Sequence, residues 1–165
     1  MKRLASRTAQ YPLYAEFAVN FNEFVIDSVD GAKKTLGSTV AASTDPLEPA
    51  LNGPVANTIT FDVIPLPVGA VVTGGELLVE TAGVGPTAYT VQLGVAGNLA
   101  AYLAATSLLA TGRTALLLTT PLVSDLAGNN LRATFVYTVA NATAGRFRLR
   151  VQYTIDGRSQ EVQIT

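Results

Sequence analysis

In Leu131–Ala140 (LRATFVYTVA) and Arg146–Ile155 (RFRLRVQYTI) the odd positions are apolar and the even positions mostly polar. The first segment sets Leu131, Ala133, Phe135, Tyr137 and Val139 against Arg132, Thr134 and Thr138. The second sets Phe147, Leu149, Val151, Tyr153 and Ile155 against Arg146, Arg148, Arg150, Gln152 and Thr154. Successive side chains of a strand point to opposite faces, so this alternation predicts two strands, each with one buried face. The segment between them, Asn141–Gly145 (NATAG), reads as a turn. Centring it on Thr143 places Phe135 opposite Val151 and Tyr137 opposite Leu149, so that the apolar faces coincide. Asp156-Gly157 is a two-residue hairpin signal and places Val151 opposite Val162 and Leu149 opposite Ile164. The expectation is a three-stranded antiparallel meander.

The pattern extends upstream. Thr58–Ile64 alternates through Ile59, Phe61 and Val63; Ala88–Val95 does so through Tyr89, Val91, Leu93 and Val95. Residues 70–81 are strand-like, with Gly74-Gly75 marking a bulge or a sharp bend. Residues 114–120 form a strand whose Leu116-Leu117-Leu118 run suits burial on both faces. Pro65, Pro67, Gly69, Gly83, Gly85, Pro86, Gly112 and Pro121 punctuate these segments. The helical candidate is 98–110: Asn98 is placed to cap it, Leu99, Tyr102 and Leu103 share a helical face, and Gly112 follows its end. In the first 55 residues Phe17, Val19 and Phe21 alternate, but Phe24 and Ile26 fall on the opposite parity, which signals a bulge, a twist or a new strand. Asp30-Gly31 suggests a turn, and residues 44–54 (TDPLEPALNGP) form a Pro-rich connector. The predicted architecture is all-β: residues 1–55 as an extended N-terminal arm with a hairpin, then an antiparallel β-sandwich over 56–165 carrying one short helical excursion near 98–110.

Composition narrows the function. The 165 residues contain no His, Cys or Trp, and 11 basic and 12 acidic side chains leave a net charge of −1. A folded monomer of this length exposes roughly 7,800 Å², about one charge per 340 Å²; at the usual charged fraction of about 25% the spacing would be nearer 190 Å². Such a surface is dressed in Thr, Asn and Ser, or is covered by other subunits. The charge balance argues against a nucleic-acid binder. The basic start, Met1–Thr8, is not followed by the apolar run of a signal peptide, and no stretch approaches 18 uninterrupted apolar residues. The reading is a chain made in the cytoplasm, without a membrane partner.

The absence of His and Cys removes the usual general base, thiol nucleophile and soft metal ligands. Glu76 and Glu80, four apart on a strand, share a face at roughly 13 Å along the chain, too far for a glycosidase pair, and read as a solvated strand face. The segment 27–31 (DSVDG) lacks the alternating ligands of a calcium loop and reads as a turn. Gly83-Val84-Gly85-Pro86 is a turn and no phosphate cradle. No catalytic, cofactor-binding or metal site is expected. Arg146, Arg148 and Arg150 form a basic stripe on one strand face. Either it meets an acidic partner surface, or it is satisfied within the fold, with Glu161 as a diagonal partner for Arg150. No aromatic residue lies among the arginines to stack nucleic-acid bases.

The stretches Val91–Gly94 (VQLG), Ala101–Ser107 (AYLAATS), Thr111–Arg113 (TGR) and Ala142–Tyr153 (ATAGRFRLRVQY) resemble small structural proteins of tailed bacteriophages, above all the decoration or cement proteins of the head. The resemblance spans roughly 58–155. It implies a jelly-roll-like sandwich without enzymatic activity, located in the virion. It also implies a homo-oligomer, with a trimer favoured and a dimer possible, seated on the major capsid protein. In that setting the expected subunit and capsid contacts are the apolar arm residues Tyr11, Leu13, Tyr14, Phe17 and Phe21 together with Arg146, Arg148 and Arg150. Two other roles fit the same residues: a tail or connector component, and a receptor- or carbohydrate-binding sandwich. For the last, Tyr89 and Tyr102 are the available aromatic platforms.

Overall fold

The computed structural model describes residues 12–29, 31, 33–36, 58–118, 130–138 and 140–155. Among the described residues there are ten strands: β1 (Leu13–Asn20), β2 (Phe24–Ile26), β3 (Lys33–Thr35), β4 (Thr58–Pro65), β5 (Ala70–Val84), β6 (Ala88–Val95), β7 (Asn98–Ser107), β8 (Gly112–Ala115), β9 (Asn130–Thr138) and β10 (Ala144–Ile155). Among the described residues the short β2 and β3 pair with each other and with no other strand. The other eight form two four-stranded antiparallel sheets, ordered β1-β10-β5-β8 and β4-β9-β6-β7. Counted along the chain, the first of these eight pairs with the eighth, the second with the seventh, the third with the sixth and the fourth with the fifth.

The inner rows of the two sheets meet in one aromatic core. Phe17 of β1 lies 5.8 Å from Phe61 of β4, Phe147 of β10 lies 5.9 Å from Phe135 of β9, and Tyr89 of β6 packs edge-on to Phe147 at 5.4 Å. Each ring pair contributes about 0.5–1.5 kcal/mol beyond its area of burial. The buried face of every alternating segment is the one the sequence predicts: Ile59, Phe61 and Val63 on β4; Tyr89, Val91, Leu93 and Val95 on β6; Leu131, Ala133, Phe135 and Tyr137 on β9; Phe147, Leu149 and Val151 on β10.

The predicted strand partners are not the observed ones. β9 and β10 lie in different sheets, so Phe135 is paired with Ile59 and Val91, and Val151 with Ala15 and Gly75. Their apolar faces coincide because they oppose each other across the core, an arrangement that parity alone does not distinguish from a hairpin. Residues 156–165 lie outside the described residues. Both flanks of Leu149 and Val151 are occupied by β1 and β5, and their expected partners, Ile164 and Val162, lie among those residues.

The helical excursion is also corrected: residues 98–107 are strand β7. Val95 pairs with Asn98 across Ala96-Gly97, and Gly97 takes a φ of +86°, so a tight turn reverses the chain and β6 satisfies the backbone that a helix would have satisfied internally. In the Leu116-Leu117-Leu118 run only Leu116 is buried; Leu117 and Leu118 face outward beyond the end of β8. Gly74-Gly75 does mark a bulge, with Thr73 the extra residue between the Gln152–Gly74 and Tyr153–Val72 pairs.

The parity change after Phe21 is a new strand. β2 and β3 form a hairpin fastened to the sandwich at two points and closed within itself by an ion pair. The Ser28 N–H donates to the Thr60 carbonyl at 2.6 Å; the Tyr89 hydroxyl donates to the Leu36 carbonyl at 2.5 Å; Lys34 Nζ meets Asp27 Oδ2 at 2.6 Å. β1, expected within the arm, is an edge strand of the first sheet. The Pro-rich connector at 44–54 lies outside the described residues.

Candidate functional site: the outer face of the first sheet

Charge that is scarce along the chain converges on one surface. The outward residues of β1, β10, β5 and β8 stack in cross-strand rows fixed by register: Tyr14, Gln152 and Gly74; then Glu16, Arg150, Glu76 and Ala115; then Ala18, Arg148, Leu78 and Arg113. Arg146, at the end of the stripe, stands opposite Asn20.

Every arginine of the stripe finds a carboxylate. Arg150 Nε donates to Glu16 Oε2 at 2.8 Å, and its Nη1 lies 3.6 Å from Glu76 Oε1. Arg148 bridges two strands, with Nη1 on Glu16 Oε1 at 2.5 Å and Nε on Glu80 Oε1 at 2.6 Å. Arg146 Nε reaches the other Glu80 oxygen at 2.8 Å, and Arg113 stands 3.6 Å from Glu76. The hydrogen bond from Arg150, reinforced by the charges of Arg148 and Arg150, holds the Glu16 carboxyl below its ordinary value. The hydrogen bond to Glu80 holds Arg148 above its own. Three carboxylates and four guanidinium groups thus form a lattice across four strands. Surface pairs of this kind contribute little each, but here they tie the edge strand β1 to β10.

The stripe predicted from sequence is therefore real, and its partners are internal. Glu76 and Glu80, read as a solvated strand face, supply two of the three. Glu161 lies outside the described residues. Glu16 went unnoticed although its parity, opposite to Phe17 and Val19, marked it as outward; its pairing with Arg148 and Arg150 depends on a strand 130 positions away. Of the expected apolar contacts, Tyr11 lies outside the described residues. Leu13 and Tyr14 are exposed at the start of β1, Tyr14 at 74%. Phe17 and Phe21 pack against the chain's own core. Tyr89 and Tyr102, the expected platforms, are 0% and 1% exposed, so neither can stack a ligand.

A second surface was not foreseen. Phe24, Ile26 and Val29, on the β2–β3 hairpin, are 49%, 57% and 81% exposed, with Lys33 Nζ 4.5 Å above the Phe24 ring. The hairpin's inner side, through Val25, packs against the core.

No protein-family model and no curated protein matches this chain. Among solved structures, its fold is similar to that of a chain in the cyanophage Pam1 capsid asymmetric unit. The TM-score is 0.55 at 19% sequence identity, over 93% of this chain and 94% of that one.

Proposed function

We propose that this chain is a non-enzymatic structural subunit of a bacteriophage virion, and within it a decoration subunit seated on the major capsid protein at the outer surface of the head. The observation that carries this reading is the strand order. Pairing first with eighth, second with seventh, third with sixth and fourth with fifth is the order expected of a hairpin rolled into two sheets, and it supports a jelly roll like that of viral capsid and lectin domains. The near-complete overlap with a capsid chain supports the virion, and the resemblance of residues 58–155 to head decoration proteins supports the finer assignment.

The contact surface in this reading is the β2–β3 hairpin. Large exposed apolar side chains grouped on one element mark interaction sites, and Phe24, Ile26 and Val29 are such a group. Leu13, from the expected contact set, adds to the exposed apolar surface. Assembly as a homo-oligomer, a trimer above all, follows from the same resemblance.

The test is a density map of purified particles combined with immunogold labelling against this chain. Density and label on the head surface are expected. Phe24→Ser combined with Ile26→Ser should cut occupancy at least tenfold, equivalent to about 1.4 kcal/mol, while the sandwich stays folded. Label confined to the tail, or absent from particles, overturns the assignment.

A further inference from the structure

The row nearest the start of β1 ends in a gap. Tyr14 and Gln152 project outward, but the third position is Gly74, beside the bulge at Thr73, and Gly75 follows opposite Val151. Gly75 is not free to become a larger residue, whereas Gly74 is bounded only by the movable end of the Gln152 side chain. A Cβ at Gly75 would stand 2.4 Å from the Arg150 carbonyl oxygen with φ at +151°, and one at Gly74 would stand 2.8 Å from the Gln152 side-chain oxygen. An open depression of about 540 Å³ lies on this sheet face, lined by Tyr14, Glu16, Gly75, Glu76, Arg150 and Gln152 among others. Sites for small ligands typically span about 300–1,000 Å³.

We propose that this depression binds a neutral pyranose of a glycan. The chemistry of the lining selects that class. Tyr14 offers a ring to solvent, and the negative face of an aromatic ring attracts the weakly positive C–H groups of a sugar's apolar side. Beside it stand two carboxylates, a guanidinium and a primary amide. These are acceptors and donors in one plane of the sheet, as vicinal hydroxyls require, since each hydroxyl both gives and takes a hydrogen bond. Glu16 and Arg150 hold each other at 2.8 Å, so the polar groups are already oriented and little ordering is lost on binding. A phosphate or sulfate is disfavoured because Arg150 is flanked on both sides by carboxylates. An apolar ligand is disfavoured because it would strip water from Glu16 and Arg150 without replacing it. The role is independent of attachment to a particle, because the hairpin surface proposed for docking is a different element.

The experiment is an immobilised array of neutral and acidic glycans probed with the full chain, followed by saturation-transfer NMR on the neutral sugars retained. Binding to neutral pyranosides is expected. Tyr14→Ala should weaken it about tenfold or more, and Glu76→Gln combined with Gln152→Ala should weaken it as well. Tyr14 is exposed, so its replacement leaves the fold intact, which circular dichroism checks. Three results overturn the proposal: no neutral glycan retained, retention of acidic glycans alone, or binding that Tyr14→Ala leaves unchanged. A Tyr14→Ala protein whose sedimentation shifts while no glycan binds assigns the depression to a second copy instead, and overturns it too.

Discussion

At Tyr89 a single side chain joins both sheets and the hairpin. Its ring packs on Phe135, Tyr137 and Phe147, and its hydroxyl donates to the Leu36 carbonyl. Burial, reinforced by the neighbouring Tyr137, drives its pKa far above the ordinary phenol value of 10.0. In the unfolded chain the same group ionises near 10. Above that pH the unfolded state holds fewer protons than the folded one, so the stability present below pH 10 falls as pH rises. Thermal melts between pH 8 and 11 should show this decline, and Tyr89→Phe should flatten it; identical slopes for the two proteins would refute the assignment. At neutral pH Tyr89→Phe costs about 1 kcal/mol, because the Leu36 carbonyl loses its donor. The sequence identified Tyr89 as inward or as a platform without deciding between them. Parity names the face of a strand, and only the first sheet, packed over that face, makes it interior.

The β2–β3 hairpin shows how an element too short to be stable alone is held. An isolated two-stranded hairpin is marginal in water. Here Asp27 accepts hydrogen bonds from the Val29 N–H at 2.9 Å and from Lys34 at 2.6 Å, with the ion pair's side chains 3% and 10% exposed. The calcium-loop residues of the sequence are therefore an internal ion pair and a turn. Asp27→Ala takes the carboxylate away from a largely buried ammonium and should cost about 3 kcal/mol, whereas Asp27→Leu with Lys34→Met should restore most of the loss. Denaturant unfolding measures both; a single variant as stable as the double would show that the pair does not fasten the hairpin. β7 teaches the complementary point. Asn98, Leu99, Tyr102 and Leu103 fit a helical face, but Ala101, Tyr102 and Leu103 are buried in succession at the edge of the second sheet. Pairing with β6 outweighs a weak helical preference, and the Ala96-Gly97 turn was the local sign of it.

Across the whole molecule, the chain closes on itself: Leu13 pairs with Tyr153 and Asn20 with Arg146, so the first described strand completes the sheet begun by the last. Deleting residues 1–20 should therefore do more than remove an arm. It strips β10 of its neighbour on one side, exposes an unpaired edge and uncovers Phe61. Aggregation and loss of the cooperative melt are expected by light scattering and calorimetry; a soluble truncated protein with an unchanged midpoint would contradict this. The sequence by itself determined that the chain is all-β, which face of each long strand is buried, where the Gly74-Gly75 bulge lies and that charge collects on the outer row of Arg146–Arg150. Those properties follow from side-chain alternation and backbone sterics, which act over a few residues. Only the tertiary structure decided which strands are neighbours, that Glu16, Glu76 and Glu80 neutralise the arginines, that Phe17 and Phe21 serve the chain's own core, and that Tyr14 borders an open depression. Those properties depend on segments far apart in the chain meeting, and many pairings satisfy the same alternation until the sheets close around one core.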